Sequence, residues 1–270
     1  MAQYQQILIG LILAILVATL AWRAGALSKS GAWAAVLTGG LIFGLGGFAW
    51  AVLLLTFFIS SSALSRAFGK RKASLAEKFS KGSRRDWGQV LANGGLGACL
   101  VIAYTILPQP EWIWLAYAGA MAAVNADTWS TELGVLSKVP PRMITTGKQV
   151  ERGTSGGITQ LGTVAALGGA ALVGIVAILF SLDTTWFRYL VIIILGGLAG
   201  SLFDSILGAT VQAIYWCPTC EKETERHPSH SCGSKTTQLR GWHWFNNDVV
   251  NLACSLMGAL VAAGLWFLLR

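Results

Sequence analysis

The chain has 270 residues, enough for one or two soluble domains, but only 12% are charged against 54% hydrophobic, with 12 Trp and 32 Gly. Soluble proteins carry about 25% charged residues, so this composition excludes a soluble fold and also a disordered, fibrous or disulfide-rich secreted one. The net charge of +8 would suit a nucleic-acid binder, and the placement of the basic residues tests that reading.

A bilayer-crossing helix needs about 20 mostly apolar residues. In chain order the candidates are 5–22, 32–45, 47–66, 88–107, 112–136, 157–181, 187–215 and 246–269. The second and third form one apolar run, interrupted at Gly44-Leu45-Gly46-Gly47, where a tight turn is expected. The expected fold is therefore all-α, a polytopic transmembrane bundle of about eight spans, or seven if that run is not split. Residues 1–270 form a single helical domain, and 216–245 is a small Cys/His insertion between the last two spans. The first segment lacks a basic start, and Arg23 follows its apolar run. That order fits a membrane anchor better than a signal peptide.

With eight spans, loops 23–31, 67–87, 137–156 and 216–245, together with Arg66, lie on one side. They hold 18 of the 20 Lys and Arg. The positive-inside rule makes that side cytosolic and puts both termini outside. The charge is thus explained by topology and by anionic lipid or a polyanionic substrate, with no nucleic acid as partner. The 67–87 loop, with Lys70, Arg71, Lys72, Lys78, Lys81, Arg84 and Arg85, reads as a surface lying on anionic headgroups.

Ionisable residues inside spans are costly and therefore mark candidate sites. Span 4 opens with Gln89, Asn93 and Gly97 on one stripe. Span 5 ends with Asn125-Ala-Asp127-Thr-Trp-Ser-Thr-Glu132-Leu-Gly134. Helical spacing aligns Asp127 with Ser130, Thr131 and Gly134, and Asn125 with Thr128 and Glu132. Span 7 carries Gly197, Ser201, Asp204, Ser205, Gly208 and Gln212 on one face, with Asp204 ~16 Å from the cytosolic end at 1.5 Å per residue. Span 8 opens with Asn246-Asn247-Asp248-Val-Val-Asn251, and Asp248, Asn251 and Ser255 share a face. All these groups fall in the cytosolic half of their spans.

The fifth loop contains Lys148 and then Arg152-Gly153-Thr154-Ser155-Gly156-Gly157 before span 6. A glycine- and hydroxyl-rich turn at a helix start exposes backbone N–H groups to an anion, and Arg grips phosphate bidentately. The spacing is not that of a P-loop. Carboxylates for Mg²⁺ beside cations for phosphates make the two halves of a nucleoside-triphosphate site. In the last loop, Cys217-Pro-Thr-Cys220 followed by His230 and Cys232 offers a Cys₃His set for structural Zn²⁺, with His227 as an alternative ligand. Cys99 and Cys254 fall in spans and read as small apolar fillers.

The segments 89–95, 125–134, 152–157, 200–209 and 246–251, with the cysteine-bearing loop, resemble the signatures of one integral-membrane family. It includes plant phytyl-phosphate kinase, animal transmembrane protein 19 and many prokaryotic members. The resemblance runs from about 25 to 265. It implies a kinase that converts an isoprenyl monophosphate, such as phytyl or geranylgeranyl phosphate, to the diphosphate with CTP or ATP. On that reading Asp127, Glu132 and Asp204 hold Mg²⁺, and Asp248 joins them as a catalytic acid. Lys148, Arg152, Gly153, Thr154, Ser155, Gly156 and Gly157 hold the donor phosphates. Asn93, Asn125, Ser201, Asn247 and Asn251 give polar support. A CTP-dependent lipid cytidylyltransferase, a polyprenol kinase and a transporter remain as alternatives. The transporter draws on midplane charge and on a weak echo of Ser30-Gly31…Thr38 in Ser155-Gly156…Thr163.

Overall fold

The computed structural model describes residues 2–72, 78–79, 81–107, 110–181 and 185–270. Among these residues are eight helices: α1 (Ala2–Arg23), α2 (Lys29–Gly46), α3 (Phe48–Lys72), α4 (Trp87–Ile106), α5 (Glu111–Gly134), α6 (Gln160–Ile178), α7 (Trp186–Thr210) and α8 (Asn247–Leu268). The apolar run of spans 2 and 3 is split at Gly47, which caps α2 with φ +79°. Only glycine adopts that backbone without strain. Between α5 and α6, β1 (Arg142–Met143) pairs with β2 (Gly157–Ile158). Between α7 and α8, β3 (Ile214–Cys217), β4 (Lys222–Thr224) and β5 (Thr237–Arg240) form an antiparallel sheet in the order β4-β3-β5.

The helix at the centre is α5. Every residue from Leu115 to Ala126 is buried, and α3, α4, α6, α7 and α8 all pack against it. Small residues permit this crowding, as expected where helix association depends on close backbone approach. A Cβ on Gly258 of α8 would stand 2.5 Å from the Gly119 carbonyl oxygen, and one on Gly197 of α7 would stand 2.6 Å from the Ala170 Cβ. The outer faces are greasy at helical spacing: Leu8, Ile12, Leu16 and Leu20 on α1, and Leu252, Leu256 and Leu260 on α8, are all exposed. Such stripes face lipid, where no polar partner exists.

Among the described residues, six helices are long and apolar enough, by length and composition, to cross a membrane: α1, α3, α4, α6, α7 and α8. The other two, α2 and α5, accompany them in the bundle. Ringed by other helices, α5 faces almost no lipid, so it tolerates Asp127 and Glu132 without forfeiting its place.

Hydrogen bonds draw the basic loops to one end. Ser28 N–H donates to the Arg85 carbonyl at 2.9 Å, Lys78 pairs with Glu151 at 2.8 Å, and Ser155 Oγ donates to Glu225 at 3.2 Å. The 67–87 loop differs from the expectation of a headgroup-lying surface. Lys78 is 9% exposed, Lys81 lies between Asp86 and Asp248, and Arg85 turns inward, as described below. The side chains of Lys70, Arg71 and Lys72, and residues 73–77, lie outside the described residues.

Candidate functional site

At the basic end of the bundle a cavity of about 570 Å³ opens between α3, α4, α5, α6, α7, α8 and the loops. Asp127, Ser130, Thr131 and Gly134 reach it from α5, and Asp204, Ser205 and Gly208 reach it from α7, so both helical stripes read from spacing converge. Asn93 enters from α4, Asn247 and Asn251 from α8, and Arg152 through Gly157 from the fifth loop. A second cavity of about 250 Å³ adjoins it, with Lys81, Glu225 and Asn247 lining both.

Within the first cavity the carboxylates have different surroundings. Glu132 is 7% exposed, and its Oε1 accepts from Ser65 Oγ at 2.8 Å. Its charge acts on Arg85. Arg85 donates to Ser62 at 2.7 Å and Ser61 at 2.8 Å, and its guanidinium lies 5.5 Å and 5.4 Å from the ring centroids of Phe57 and Phe58. Burial lowers the Arg85 pKa to about 10, against the pull of Glu132. Asp204 Oδ2 is sealed from solvent and has no hydrogen-bond partner among the described residues. The charges that act on Asp204 are those of Asp127 and Glu225. A buried carboxylate oxygen without a partner is costly, and a bound cation is one way to offset that cost.

The glycine loop differs from the expected helix-start cradle. The helix begins at Gln160, not 157, because Gly157 and Ile158 are in β2. Thr159 already caps α6, accepting from Gly162 N–H at 3.0 Å. Within the loop, Thr154 N–H donates to Glu151 and Gly157 N–H to Thr154. The loop thus meets the cavity as a hairpin, not as a helix dipole. Gly156 has φ +84°, and a Cβ there would stand 2.5 Å from Ala209, so this glycine lets the hairpin close on α7. Arg152 lines the cavity while its Nη2 donates to the Ser137 carbonyl at 2.7 Å.

Four residues expected at the site lie elsewhere. Lys148 is exposed and outside the cavity lining, because the β1–β2 hairpin carries it away. Asn125 is fully buried, accepts from Ser60 and donates to the Gly169 carbonyl at 2.8 Å each; it ties α5 to α3 and α6. Ser201 is 4% exposed and outside the cavity lining, because its turn of α7 is packed into the bundle. Asp248 lines the second cavity, where it pairs with Lys81. Burial pulls the Lys81 pKa down, but hydrogen bonds to Asp248 and Asp86 outweigh it and hold the pKa above the usual lysine value.

Sequence reading missed Arg85, Lys81 and Glu225 as cavity residues. Arg85 and Lys81 sit in the basic 67–87 run, which reads as a surface for anionic headgroups and not as part of a cavity. Glu225 follows Glu221 and Glu223 in the cysteine loop, and nothing in their spacing singles it out. In the structure Glu225 Oε1 accepts from Ser155 at 3.2 Å and from Gln212 Nε2 at 3.0 Å.

The cysteine loop folds so that donor atoms of Cys217, Cys220, His230 and Cys232 all lie within 4.8 Å of one another. A tetrahedral site with Zn–S bonds of about 2.3 Å has ligand separations of about 3.8 Å, so this set can hold a metal ion. Hydrogen bonds from Ser234 hold the Cys232 pKa down to about 6, while the hydrogen bond between Cys220 and Cys232 pushes that of Cys220 up to about 11. His227 is not in the set; it stacks on Tyr215, with ring centroids 4.4 Å apart.

No solved structure matches the chain. Among curated proteins, it is 33% identical to Protein PGR of Arabidopsis thaliana over 96% of this chain and 95% of that one. It is 38% identical to the uncharacterized membrane protein MJ0933 of Methanocaldococcus jannaschii over 60% and 65%. It is 26% identical to the chloroplastic Protein VTE6 of Arabidopsis thaliana over 87% and 64%. The sequence pattern described as Integral membrane protein DUF92 matches residues 12–259. With that match over most of its length and a bundle of apolar helices to account for it, the chain belongs to the DUF92 family of integral membrane proteins.

Proposed function

We propose that the protein is a membrane-embedded kinase that transfers a phosphoryl group from CTP or ATP to an isoprenyl monophosphate. The observation that carries this reading is the convergence of Asp127, Asp204 and Arg152 on one polar cavity at the end of an apolar bundle. The resemblance to a family that includes phytyl-phosphate kinase supplies the substrate class. The basic end faces the cytosol, by the charge bias of its loops. The prenyl tail stays among lipid-facing helices while its phosphate reaches the cavity.

An oxygen of the acceptor monophosphate attacks the γ-phosphorus. A new P–O bond forms, the bond from the γ-phosphorus to the β,γ-bridging oxygen breaks, and its electron pair leaves with the nucleoside diphosphate. The acceptor is already anionic, so no strong base is required, and catalysis rests on positioning and charge neutralisation. Arg152 clamps donor phosphate. Asn93, Asn247 and Asn251 orient the phosphates by hydrogen bonding. The orphaned Asp204 oxygen fits Mg²⁺, which when bound would neutralise the donor phosphates; Asp127, Glu132 and Asp204, all in the cavity lining, would hold it. Zn²⁺ on Cys217, Cys220, His230 and Cys232 has every position filled by protein and is therefore structural.

The test uses purified protein in lipid nanodiscs with phytyl or geranylgeranyl monophosphate, Mg²⁺ and CTP or ATP, with the lipid products resolved. Prenyl diphosphate and nucleoside diphosphate in equal amounts are expected. A CDP-lipid would make the protein a cytidylyltransferase instead. No lipid product with either nucleotide sinks the kinase reading.

A further inference from the structure

We propose that the second cavity seats the nucleobase of the donor nucleotide and selects a base with an exocyclic amino group, as cytosine and adenine have. The proposal rests on the reading of the first cavity as a nucleoside-triphosphate site and places the part of the donor that its phosphate-handling residues do not hold. Three observations carry it.

The first is position. The second cavity, of about 250 Å³, shares Lys81, Glu225 and Asn247 with the first, so one ligand can reach into both. Their charges differ. Arg85 and Arg152 line the first cavity. In the second, Lys81 is held between Asp86 and Asp248, and the carboxylates of Glu225 and Asp248 stand on the wall. Such a wall repels phosphate and tolerates an uncharged ring. The donor therefore lies with its phosphates in the first cavity and its base in the second.

The second is a flat surface. Tyr215 of β3 and His227 line the second cavity, and their rings stack with centroids 4.4 Å apart and planes 14° apart. Tyr215 is buried at 6% exposure, whereas His227 is exposed. The buried ring thus fixes the tilt of an open one, and bases stack on such rings. The third is hydrogen-bonding capacity. Asp248 Oδ2 binds Lys81, but Oδ1 is sealed from bulk water and has no hydrogen-bond partner among the described residues. A base amino group supplies the N–H that this oxygen lacks. Asn246 Oδ1 accepts from the Asp248 and Val249 N–H groups at 3.0 Å and 3.2 Å, so its amide nitrogen is the group it can turn to a ligand. An acceptor and a donor on one wall match the amino group and ring nitrogen of cytosine or adenine. Uracil has a carbonyl where cytosine has its amino group, and that carbonyl would face the carboxylate.

The experiment measures binding of CTP, ATP, UTP and inorganic tripolyphosphate to the purified protein in nanodiscs with Mg²⁺ by calorimetry, with zinc content and Tm recorded for each variant. Wild type is expected to bind CTP or ATP at least about ten-fold more tightly than it binds UTP or tripolyphosphate. His227→Ala is expected to weaken CTP or ATP binding at least about five-fold and to leave tripolyphosphate within about two-fold of wild type. Asp248→Ala is expected to bring UTP within about two-fold of CTP and ATP. Equal binding of nucleotides and tripolyphosphate by wild type overturns the proposal and leaves the kinase reading standing. So does wild-type nucleotide affinity and preference in both variants. UTP bound as tightly as CTP and ATP overturns the selection by Asp248. Tripolyphosphate binding weakened as much as nucleotide binding in His227→Ala also overturns the proposal, because that residue would then act on the phosphates. No binding of any of these ligands overturns both readings. If one variant loses zinc or does not fold, the other decides by its own criterion.

Discussion

The two ends of the bundle use acidic residues in opposite ways. At the end away from the basic loops, Glu111 accepts from Tyr189 Oη at 2.8 Å and from Trp266 Nε1 at 3.4 Å. Beside it Trp50, Tyr104, Trp114 and Tyr117 pack with ring centroids 4.4 to 6.1 Å apart, and Tyr117 donates to the Trp50 carbonyl. Glu111 and Tyr117 both find hydrogen-bond partners there. At the basic end, Asp204 keeps a sealed oxygen without a hydrogen bond and the acids line an open cavity. The acid at the outer end is exposed, whereas those at the basic end are buried or line the cavity. The two ends differ both in burial and in how the carboxylates are partnered.

That contrast is most exposed to failure at Asp127. Asp127→Asn should cut turnover at least about a thousand-fold, ~4 kcal/mol of transition-state stabilisation, with a normal gel-filtration profile and Tm; full turnover would remove its assigned role. Packing variants should do the reverse. Gly258→Val would push a side chain into the Gly119 carbonyl and should cost about 3 kcal/mol or more, read as lost monodisperse protein. Cys217→Ser should abolish zinc retention and lower Tm by more than about 5 °C, since ligand loss costs metal-coupled folding energy of several kcal/mol. Zinc bound at wild-type level in that variant argues against the knuckle. Glu111→Gln keeps one acceptor oxygen and should cost only about 1–2 kcal/mol, with Mn²⁺ affinity unchanged; a shift in that affinity would dissolve the distinction between the ends.

The smallest effect concerns pH. Hydrogen bonds from the Gln89 N–H and from Lys81 outweigh burial and hold the Asp86 pKa below its usual value, while the Lys81 pKa is held above its own. The Asp86 contribution is therefore present above the usual carboxylate range and lost as pH falls through its lowered pKa. The Lys81 contribution is present below the usual lysine value and lost as pH rises through its raised one. Both groups are about a third exposed, so solvent screening limits each to about 0.5 kcal/mol. Stability should stay flat between about pH 5 and 9 as measured by Tm; a Tm peak inside that window would contradict this.

Much of the bundle was legible because its signals are local. Apolar length marks the helices, Gly47 breaks spans 2 and 3, and the stripes of Asp127–Gly134 and Asp204–Gly208 follow from 3.6-residue periodicity. Cys217, Cys220, His230 and Cys232 converge within a short segment. Lys148 and Asn125 show the limit of such signals. One sits on the wrong side of a two-residue hairpin, and the other points into helix packing. No periodicity reveals either.

By itself, the sequence determines that the chain enters a membrane, which loops share a side and which helical faces are polar, because these depend on composition, charge and spacing along one segment. Tertiary structure alone decides which charges meet. Arg85 leaves a basic loop to face Glu132, Lys81 binds Asp248 of a distant helix, and Glu225 leaves the cysteine loop for the cavity wall. Those pairings join residues 47 to 167 positions apart, or belong to a folded knuckle, and their energies depend on distance and burial that only the packed bundle supplies.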